Sequence, residues 1–213
     1  MGQAIQAQCE KLTDIRVSDF QAREFDSNGI SALIDFSSPD GFNIALKFCK
    51  ENKIPFISGT TGLSDKNLKG LSAAKKIIPI LIASNMSLGV ANLKSAIEKY
   101  LISIKRPVKC KIVEIHHTKK KDSPSGTAVE IVKFLENYHA NKIDGLIDVE
   151  SHRIGNIFGI HRVEFKSEEG ITNFQHIASS RDVFAKGALK AARSINSMEI
   201  GEYSFADFLD KKL

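Results

Sequence analysis

The sequence lacks the features that mark several classes of protein. It has no tryptophan among 213 residues, and its three cysteines, Cys9, Cys49 and Cys110, lie far apart. They form neither a CxxC pair nor a disulfide framework, so we expect free thiols and a reducing, cytoplasmic location. The longest nearly unbroken apolar run, residues 77–83, is much shorter than the roughly 20 residues that cross a bilayer. The sequence therefore predicts no membrane partner.

The sequence has no large excess of charge of either sign. Lys and Arg number 30 against 25 Asp and Glu, which gives a net charge of +5 and a pI near 9.0. The basic residues are mostly interleaved with acidic ones, and the one tight run is Lys119–Lys121. No aromatic residues interleave a basic stripe, so the sequence predicts no nucleic-acid partner. A small anionic substrate stays compatible with this charge.

Short apolar strands alternate with amphipathic helices in the first 86 residues. This alternation predicts a parallel sheet covered on both faces. The predicted strands are Ala32–Phe36, Ile54–Ser58 and Ile78–Ala83; the predicted helices are Met1–Leu12, Pro39–Asn52 and Ser64–Lys75; a short extended piece is predicted at Ile15–Ser18.

The pattern changes after residue 86. We predict a second, α+β domain over 87–181. It is inserted into an α/β domain formed by 1–86 and 182–213. The elements predicted after residue 86 are helices at Leu88–Ile104, from Ser125, and at Val183–Asn196, strands at Val108–His117, Asn156–Lys166 and Ile171–Ala178, and a short amphipathic helix carrying Phe205, Phe208 and Leu209.

Two polar turns follow predicted strands of the first sheet. Gly59-Thr60-Thr61-Gly62 follows one strand, and Ala83-Ser84-Asn85-Met86-Ser87 follows another. Ligands of open parallel sheets bind beyond the carboxyl ends of the strands, where glycine amides and threonine hydroxyls could donate to a nucleotide. An Asn could pair with a nicotinamide carboxamide, and Met86 could pack against a flat ring. Taken singly, each stretch also fits an ordinary turn.

The most informative stretch is EIHHTKKKDSPSGTA, residues 114–128. Two histidines, His116 and His117, end a predicted strand, and Lys120 lies four positions beyond the first. A histidine can donate a proton near neutral pH, and a nearby cation can hold or polarise an anionic substrate. The amides of Gly126 and Thr127 begin a predicted helix, where the macrodipole favours an anion. Together these groups favour an active site for a small anion.

Taken singly, each of these features, and Arg181 beyond them, also has a simpler interpretation. The adjacent histidines could bind a metal, although neighbours on a strand point to opposite faces and no Cys or third His completes a set nearby, so no metal is predicted. The lysine run could be a solvated surface. The Ser-Gly-Thr could be only a helix cap. Arg181, ahead of the last long helix, could bind a carboxylate or form a structural ion pair.

The same stretch closely resembles the signature of the 4-hydroxy-tetrahydrodipicolinate reductase (dihydrodipicolinate reductase) family. That signature has Glu-x-His-His, a Lys four residues beyond the first His, and Asp-x-Pro-Ser-Gly-Thr-Ala. Further blocks resemble the family in order: IDFSSPDG, ISGTTGLS, ASNMSLGVANL, the Arg-x-Gly-Asn-x-x-Gly-x-His stretch at 153–161, and HIASSRDVFAKGALKAA. The resemblance covers nearly the whole chain.

The resemblance implies an NAD(P)H-dependent oxidoreductase. Its Rossmann-like cofactor domain would be formed by 1–86 and 182–213, without the family's first strand, and its substrate-binding and tetramerisation domain by 87–181, with a mostly antiparallel open sheet. The enzyme would reduce 4-hydroxy-tetrahydrodipicolinate to tetrahydrodipicolinate in lysine and diaminopimelate biosynthesis, as a homotetramer acting on a small dicarboxylate. NADPH or NADH would be the cofactor, with the preference open and Asp19 a candidate for reading the ribose. The implied site residues are His116 and Lys120 for catalysis, His117, Gly126 and Thr127 for the substrate, and Gly59, Thr60, Thr61, Ala83, Ser84, Asn85 and Met86 for the cofactor.

The start of the chain departs from the family pattern. The family opens with a strand followed by a glycine-rich pyrophosphate turn, and Met1-Gly2 resembles the last two residues of that turn. We therefore expect an N-terminally truncated sequence whose reading frame extends upstream by about 12 to 15 residues, one strand and its loop. The alternatives are a truncated paralogue with impaired cofactor binding and another nicotinamide-dependent dehydrogenase of the same two-domain plan.

Overall fold

The apolar runs of the sequence become short strands, and the amphipathic segments between them become helices. The computed structural model describes residues 1–20 and 28–209. Its elements in chain order are α1 (Gly2–Cys9), β1 (Leu33–Asp35), α2 (Pro39–Asn52), β2 (Phe56–Ser58), α3 (Asp65–Ala74), β3 (Pro79–Ile82), α4 (Leu88–Ser103), β4 (Lys109–His116), α5 (Gly126–His139), β5 (Asp148–Arg153), β6 (Ile160–Ser167), β7 (Gly170–Ile177), α6 (Asp182–Ile195) and β8 (Gly201–Tyr203). Among these residues, no helix combines the length and apolar character needed to cross a membrane.

The first of two compact units comprises Met1–Met86 and Asp182–Leu213. Its sheet has the order β1-β2-β3-β8, and every neighbouring pair is parallel. Successive strand residues face opposite sides, so Phe56 packs with α2 and α3 whereas Ile57 packs with α6. The sheet is therefore covered on both faces, as its nearly continuous apolar strands predict.

The second compact unit comprises Ser87–Arg181. Its sheet has the order β5-β4-β6-β7, with β4 and β5 parallel and the remaining pairs antiparallel. One face packs against α4 and α5 around Ile97, Ile112 and Ile131. The other face is open, and Ile171 and Ile177 of β7 are 59% and 57% exposed there.

The predicted fold class is confirmed: a Rossmann-like parallel sheet and a second, mostly antiparallel open sheet. The cofactor and substrate roles of the two units stay predictions. The extended piece expected at Ile15–Ser18 forms no strand, and Val17 there is 44% exposed. The expected C-terminal helix is a single 3-10 turn, Phe205–Phe208. Strand β8 was not predicted, because its three residues, Gly-Glu-Tyr, carry no apolar run.

Candidate active site

The alternation of strand β4 selects which side chains enter the second unit's buried layer. Glu114 and His116 lie two residues apart on the face covered by α4 and α5, and they are 0% and 6% exposed. His117 follows the strand and is half-buried. The two adjacent histidines therefore have different surroundings, as the strand period predicts.

Both carboxylate oxygens of Glu114 are occupied. Oε2 accepts a short hydrogen bond from Nδ1 of His116. Oε1 lies 2.9 Å from Nη2 of Arg153 and accepts the backbone N–H of Ser125 at 3.2 Å. A fully buried carboxylate is thus compensated by one cation and by further hydrogen-bond donors, which is the condition for burying such a charge.

Burial and the neighbouring charges set the protonation states of this pair. Burial by itself raises the pKa of Glu114, but hydrogen bonds from Arg153, Ser151 and His116 bring it below its ordinary value. Burial lowers the pKa of His116; Glu114 opposes this, while the positive charges of Lys120 and Arg153 lower it further. Without a bound substrate anion, Glu114 is therefore ionised and the His116 imidazole is neutral at neutral pH.

Lys120 and the start of α5 meet on a single carboxylate of the chain. Oδ2 of Asp122 lies 2.9 Å from Nζ of Lys120 and accepts the Gly126 N–H at 3.3 Å. Burial opposes ionisation of Asp122, but the Lys120 hydrogen bond and charge lower its pKa overall. The structure thus brings together two groups that the sequence assigns to anion binding, and it shows them holding an anion.

Helix α5 begins at Gly126 with Ser125 as its N-cap, close to the start that the sequence predicts. Oγ of Ser125 accepts the Ala128 N–H at 3.2 Å and also lies 3.2 Å from Nε2 of His161. Gly126 is half-buried and Thr127 is 6% exposed at this helix start. The Ser125 side chain is therefore a helix cap, and the contribution of Gly126 and Thr127 to substrate binding stays a prediction.

His161 lies edge to face against His116, with 5.0 Å between ring centroids. Burial lowers the pKa of His161 to about 3, so this ring is neutral. Glu114, His116 and His161 place possible metal-ligand atoms within 4.8 Å of one another. Glu114 is already ion-paired with Arg153, whose positive charge opposes a second cation at that carboxylate.

Glycine at position 159 leaves space beside the reactive edge of His116. A Cβ atom added at Gly159 would lie 3.0 Å from Nε2 of His116, closer than side-chain carbons normally approach. Nδ1 already contacts Glu114. Nε2 is therefore the imidazole nitrogen that can face a substrate.

Positive charge also surrounds His117. Burial lowers its pKa, and Arg181, Lys120, Arg153 and Lys119 lower it further. Its Nδ1 is buried without a hydrogen-bond partner among the described residues. A half-buried imidazole with an unsatisfied nitrogen among cations is suited to contact an anion. Arg181, which the sequence left between two roles, contributes to this positive field.

The strand ends of the first unit are tied together by Asp35, a buried residue that sequence reasoning did not select. Its carboxylate accepts hydrogen bonds from Oγ of Ser58 at 2.8 Å and Oγ1 of Thr60 at 2.7 Å, and from the Ser37 N–H at 3.0 Å. Because β1 and β2 are parallel, their carboxyl ends meet at one edge, and Asp35 fixes the turns there.

The structure corrects two details of the predicted cofactor contacts. The Thr60 hydroxyl donates its single proton to Asp35, so it cannot also donate to a nucleotide. The Met86 side chain is 0% exposed within the core formed with α6, so it is not placed to pack against a nicotinamide ring. Each residue's remaining place in the cofactor site stays a prediction.

The other predicted cofactor residues lie at the same edge. Gly59 comes so close to the Phe36 ring that a Cβ atom there would clash with it. Thr61 and Ser84 are exposed, Ala83 is half-buried, and Asn85 is 8% exposed. The exposed hydroxyls of Thr61 and Ser84, at the carboxyl ends of parallel strands, suit a bound dinucleotide, so the residues present fit a nicotinamide cofactor.

Comparison with known protein families decides the chain's relationship. Residues 1–86 match the family model for the N-terminus of dihydrodipicolinate reductase, and residues 89–209 match the model for its C-terminus. The chain belongs to the dihydrodipicolinate reductase family. The resemblance inferred from EIHHTKKKDSPSGTA is thereby confirmed.

Relatives within the reductase family agree with this assignment. The chain is 38% identical over 183 residues to the 4-hydroxy-tetrahydrodipicolinate reductase of Bdellovibrio bacteriovorus, covering 86% of this chain and 78% of that protein. It is 40% identical over 199 residues to the enzyme of the same name from Campylobacter lari, covering 85% and 81%.

Solved structures agree at the level of the fold. A dipicolinate-bound dihydrodipicolinate reductase from Paenisporosarcina sp. TG-14 matches with a TM-score of 0.62 at 19% identity, covering 82% of this chain and 71% of that one. A probable dehydrogenase from Thermotoga maritima matches with a TM-score of 0.56 at 12% identity, covering 85% and 74%.

Sequence reasoning about this reductase missed the groups that hold the predicted residues in place. Glu114, Asp122, Arg153 and His161 all lie within the quoted motifs but received no role. One signal was available for Glu114: it lies two residues before His116 in a strand, and such residues share a face. The contacts of Arg153 and His161 depend on strand pairing, which no local pattern reveals.

Proposed function

We propose that this chain reduces 4-hydroxy-tetrahydrodipicolinate to tetrahydrodipicolinate in the diaminopimelate route to lysine, using NADH or NADPH. Beside membership of the reductase family, one structural observation supports the proposal. A buried histidine with one free nitrogen lies in the same unit as a lysine and a helix N–H that already hold a carboxylate together. These are the groups needed to supply a proton to a dicarboxylate and to bind it.

The net reaction replaces a hydroxyl group by hydrogen. One hydride and one proton are consumed, and the hydroxyl leaves as water. A bound nicotinamide supplies the hydride. His116 donates the proton through Nε2, because Nδ1 is committed to Glu114. Lys120 binds a substrate carboxylate by charge, and His117 with the amides of Gly126 and Thr127 binds the dianion beside it.

The charge of the substrate helps to load the proton donor. Burial and two nearby cations keep the pKa of His116 low in the free chain. A dianion bound beside Lys120 offsets those cations and raises the pKa of His116. His116 is then protonated when its proton is needed, and the burial that opposes the charged imidazolium favours release of that proton.

The cofactor is assigned to the strand ends of the first unit. Gly59, Thr61, Ala83, Ser84 and Asn85 offer backbone and side-chain groups there, on turns fixed by Asp35. In this proposal Thr60 contributes through its main chain, since its hydroxyl is bound to Asp35, and the fully buried Met86 supports the turn through its packing against α6. Asp19 stays the candidate for reading the ribose, and comparing NADH with NADPH tests it.

A homotetramer in the cytoplasm completes the proposal. The open face of the second unit's sheet carries exposed Ile171 and Ile177, the kind of apolar surface that subunit contacts bury. All three cysteines are free and buried, in keeping with a reducing compartment. Sedimentation velocity of the purified chain tests the assembly, and a monomer at micromolar concentration contradicts it.

Turnover is the direct test of the reaction. The purified chain is mixed with freshly generated 4-hydroxy-tetrahydrodipicolinate and either NADH or NADPH, and oxidation of the nicotinamide is followed by absorbance. We expect oxidation that depends on both substrate and chain and that dipicolinate inhibits. Calorimetric cofactor titration of this chain, and of one extended upstream, separates an inactive site from a chain that fails to bind cofactor. Oxidation of the nicotinamide by unrelated imines but not by this substrate contradicts the proposal.

A further inference from the structure

We propose that Glu114 is a positioning residue that joins the proton donor to the substrate-binding helix start, using one carboxylate oxygen for each. The inference rests on the proposed function, in which His116 donates the proton and the start of α5 binds the dicarboxylate. Glu114 is 0% exposed, and its carboxylate oxygens are bound to His116, Arg153 and Ser125. Its effect on the reaction is therefore exerted through its neighbours.

The first half of the argument concerns His116. An ionised carboxylate can only accept hydrogen bonds, so the contact between Oε2 of Glu114 and Nδ1 of His116 requires the proton on Nδ1. That tautomer leaves Nε2, the nitrogen beside Gly159, as the position that gains and loses the transferable proton. Glu114 thus selects both the orientation and the tautomer of the proton donor.

Arg153 keeps Glu114 in its anionic form. Its Nη2 lies 2.9 Å from Oε1 of Glu114 and also donates to the backbone oxygen of Asp122. Nη1 donates to the backbone oxygen of His152 at 2.7 Å, which anchors the guanidinium to strand β5. The bound cation prevents Glu114 from taking the proton of His116, so that proton stays on the imidazole.

The second half of the argument concerns α5. Oε1 of Glu114 accepts the Ser125 N–H at 3.2 Å, and Ser125 is the residue that caps α5. The next two residues are Gly126 and Thr127, whose amides are assigned to the substrate. One rigid carboxylate therefore fixes the spacing between the proton-donating imidazole and the anion-binding amides, which neither β4 nor α5 could fix alone.

The charged and titratable groups facing His116 come from several elements. They belong to β4, to the loop that follows it, to β5 and to β6. They are Glu114, Lys120, Arg153 and His161. Among them, Glu114 makes the direct contact that favours the protonated imidazole, so replacing it by a neutral side chain changes the balance most.

The decisive variant is Glu114→Gln, which keeps the volume and one carbonyl oxygen for Arg153 and Ser125. Its NH2 group cannot accept the His116 proton, and it donates to Nδ1 instead. We expect the neutral His116 ring to switch from the Nδ1–H to the Nε2–H tautomer, as read from its imidazole nitrogen shifts by NMR without substrate. We expect kcat to fall about 10²-fold or more. The alkaline limb of the pH profile should move to lower pH. Dipicolinate affinity should change by less than about threefold.

The matched control is Glu150→Gln on the neighbouring strand. Glu150 also contacts a histidine two residues further on, with Oε1 2.6 Å from Nε2 of His152. This pair lies on the open face of the sheet. We expect the control to leave kcat, the pH profile and the tautomer of His116 unchanged. Glu114→Asp, which is shorter but still anionic, should restore the Nδ1–H tautomer and part of kcat.

The outcomes separate the two proposals. A His116 ring that keeps its Nδ1–H tautomer in Glu114→Gln overturns the positioning role, and so does a variant with unchanged kcat and pH profile. A loss of kcat without any change in tautomer or pH profile also overturns it, because a purely structural defect would do the same. Should the tautomer switch while the wild-type chain reduces no substrate, the proposed function fails, and with it the link between this pair and catalysis.

Discussion

Two Glu-x-His pairs occupy adjacent parallel strands of the second unit, and they differ in almost every physical respect. Glu114 and His116 lie on β4, and Glu150 and His152 lie on β5. The register pairs Val113 with Glu150, so the second pair points to the opposite face of the sheet. The side chains of Glu114 and His116 are 0% and 8% exposed, whereas those of Glu150 and His152 are 42% and 40% exposed.

The difference shows that burial, and not the motif, gives such a pair its chemistry. On the open face, Nζ of Lys111 lies 2.5 Å from Oε2 of Glu150. The hydrogen bond from Lys111 is the largest cause of the lowered pKa of the Glu150 carboxyl. Solvent screens every contact there. On the covered face, Glu114 fixes the tautomer and the acid strength of His116, because water cannot compete for their hydrogen bond. A one-residue change of register would exchange their surroundings.

The largest difference between the two faces should come from removing the cation that is paired with each glutamate. Arg153→Ala leaves the buried Glu114 charge without its ion-pair partner, and we expect a loss of about 3 kcal/mol in the free energy of unfolding. Lys111→Ala removes the partner of Glu150 in solvent and should not measurably change stability. Urea unfolding at neutral pH compares the two variants. Equal losses would show that the faces do not differ in the way proposed.

Replacing the histidines should separate the faces almost as strongly. His116→Gln removes the proton donor, and we expect kcat to fall about 10²-fold with cofactor affinity unchanged. His152→Gln should retain wild-type kcat because its ring lies on the open face with Glu150. Steady-state kinetics and cofactor titration give both quantities. A His116→Gln variant with full activity would remove His116 from the mechanism.

A third histidine sharpens the contrast through pH. Burial lowers the pKa of His161 to about 3, whereas an unfolded histidine titrates near 6.5. Between these values the unfolded chain binds one more proton than the folded chain. This contribution to stability is therefore complete above pH 6.5 and decreases by about 1.4 kcal/mol per pH unit below it. His161→Gln should show a shallower loss of stability on acidification, measured by urea unfolding across that range. Parallel pH dependences would contradict the buried, neutral assignment.

The smallest effect concerns Asp122. Its carboxylate contacts Lys120 at 2.9 Å and the Gly126 N–H at 3.3 Å, where a substrate carboxylate is expected. Asp122→Asn keeps an oxygen for Gly126 but removes the competing charge. We expect up to about fivefold tighter dipicolinate binding by calorimetry, the size of an exposed ion pair. Weaker binding would mean that Asp122 serves to place Lys120.

The sequence predicted those parts of the fold that depend on local patterning. Alternation of apolar strands with amphipathic helices was sufficient for the parallel sheet, and the Pro39 and Ser125 helix starts followed from capping rules. Strand β8 could not be predicted in this way. Three residues without an apolar run become a strand only because β3 offers an unpaired edge.

The residues of the candidate site likewise differ in whether a local pattern could reveal them. His116, Lys120, Gly126 and Thr127 follow one another within a dozen residues, so a motif could reveal them. Arg153 lies far along the chain and reaches the site because β5 pairs with β4 in parallel. The Met86 expectation failed for a related reason: residue type suggested contact with a ring, whereas packing against α6 buries the side chain. Pairing and packing are tertiary facts that spacing alone does not contain.

The buried cysteines have a practical consequence for chemical labelling. Cys9, Cys49 and Cys110 are all free, and burial raises the pKa of each, to about 12 for Cys49 and Cys110. Thiol reagents attack the thiolate, so these side chains should react slowly while the protein stays folded. A single cysteine introduced at an exposed position such as Lys119 would therefore react selectively with a maleimide dye. A Lys119→Cys variant can carry a fluorescent reporter beside the candidate active site without prior removal of the chain's own thiols.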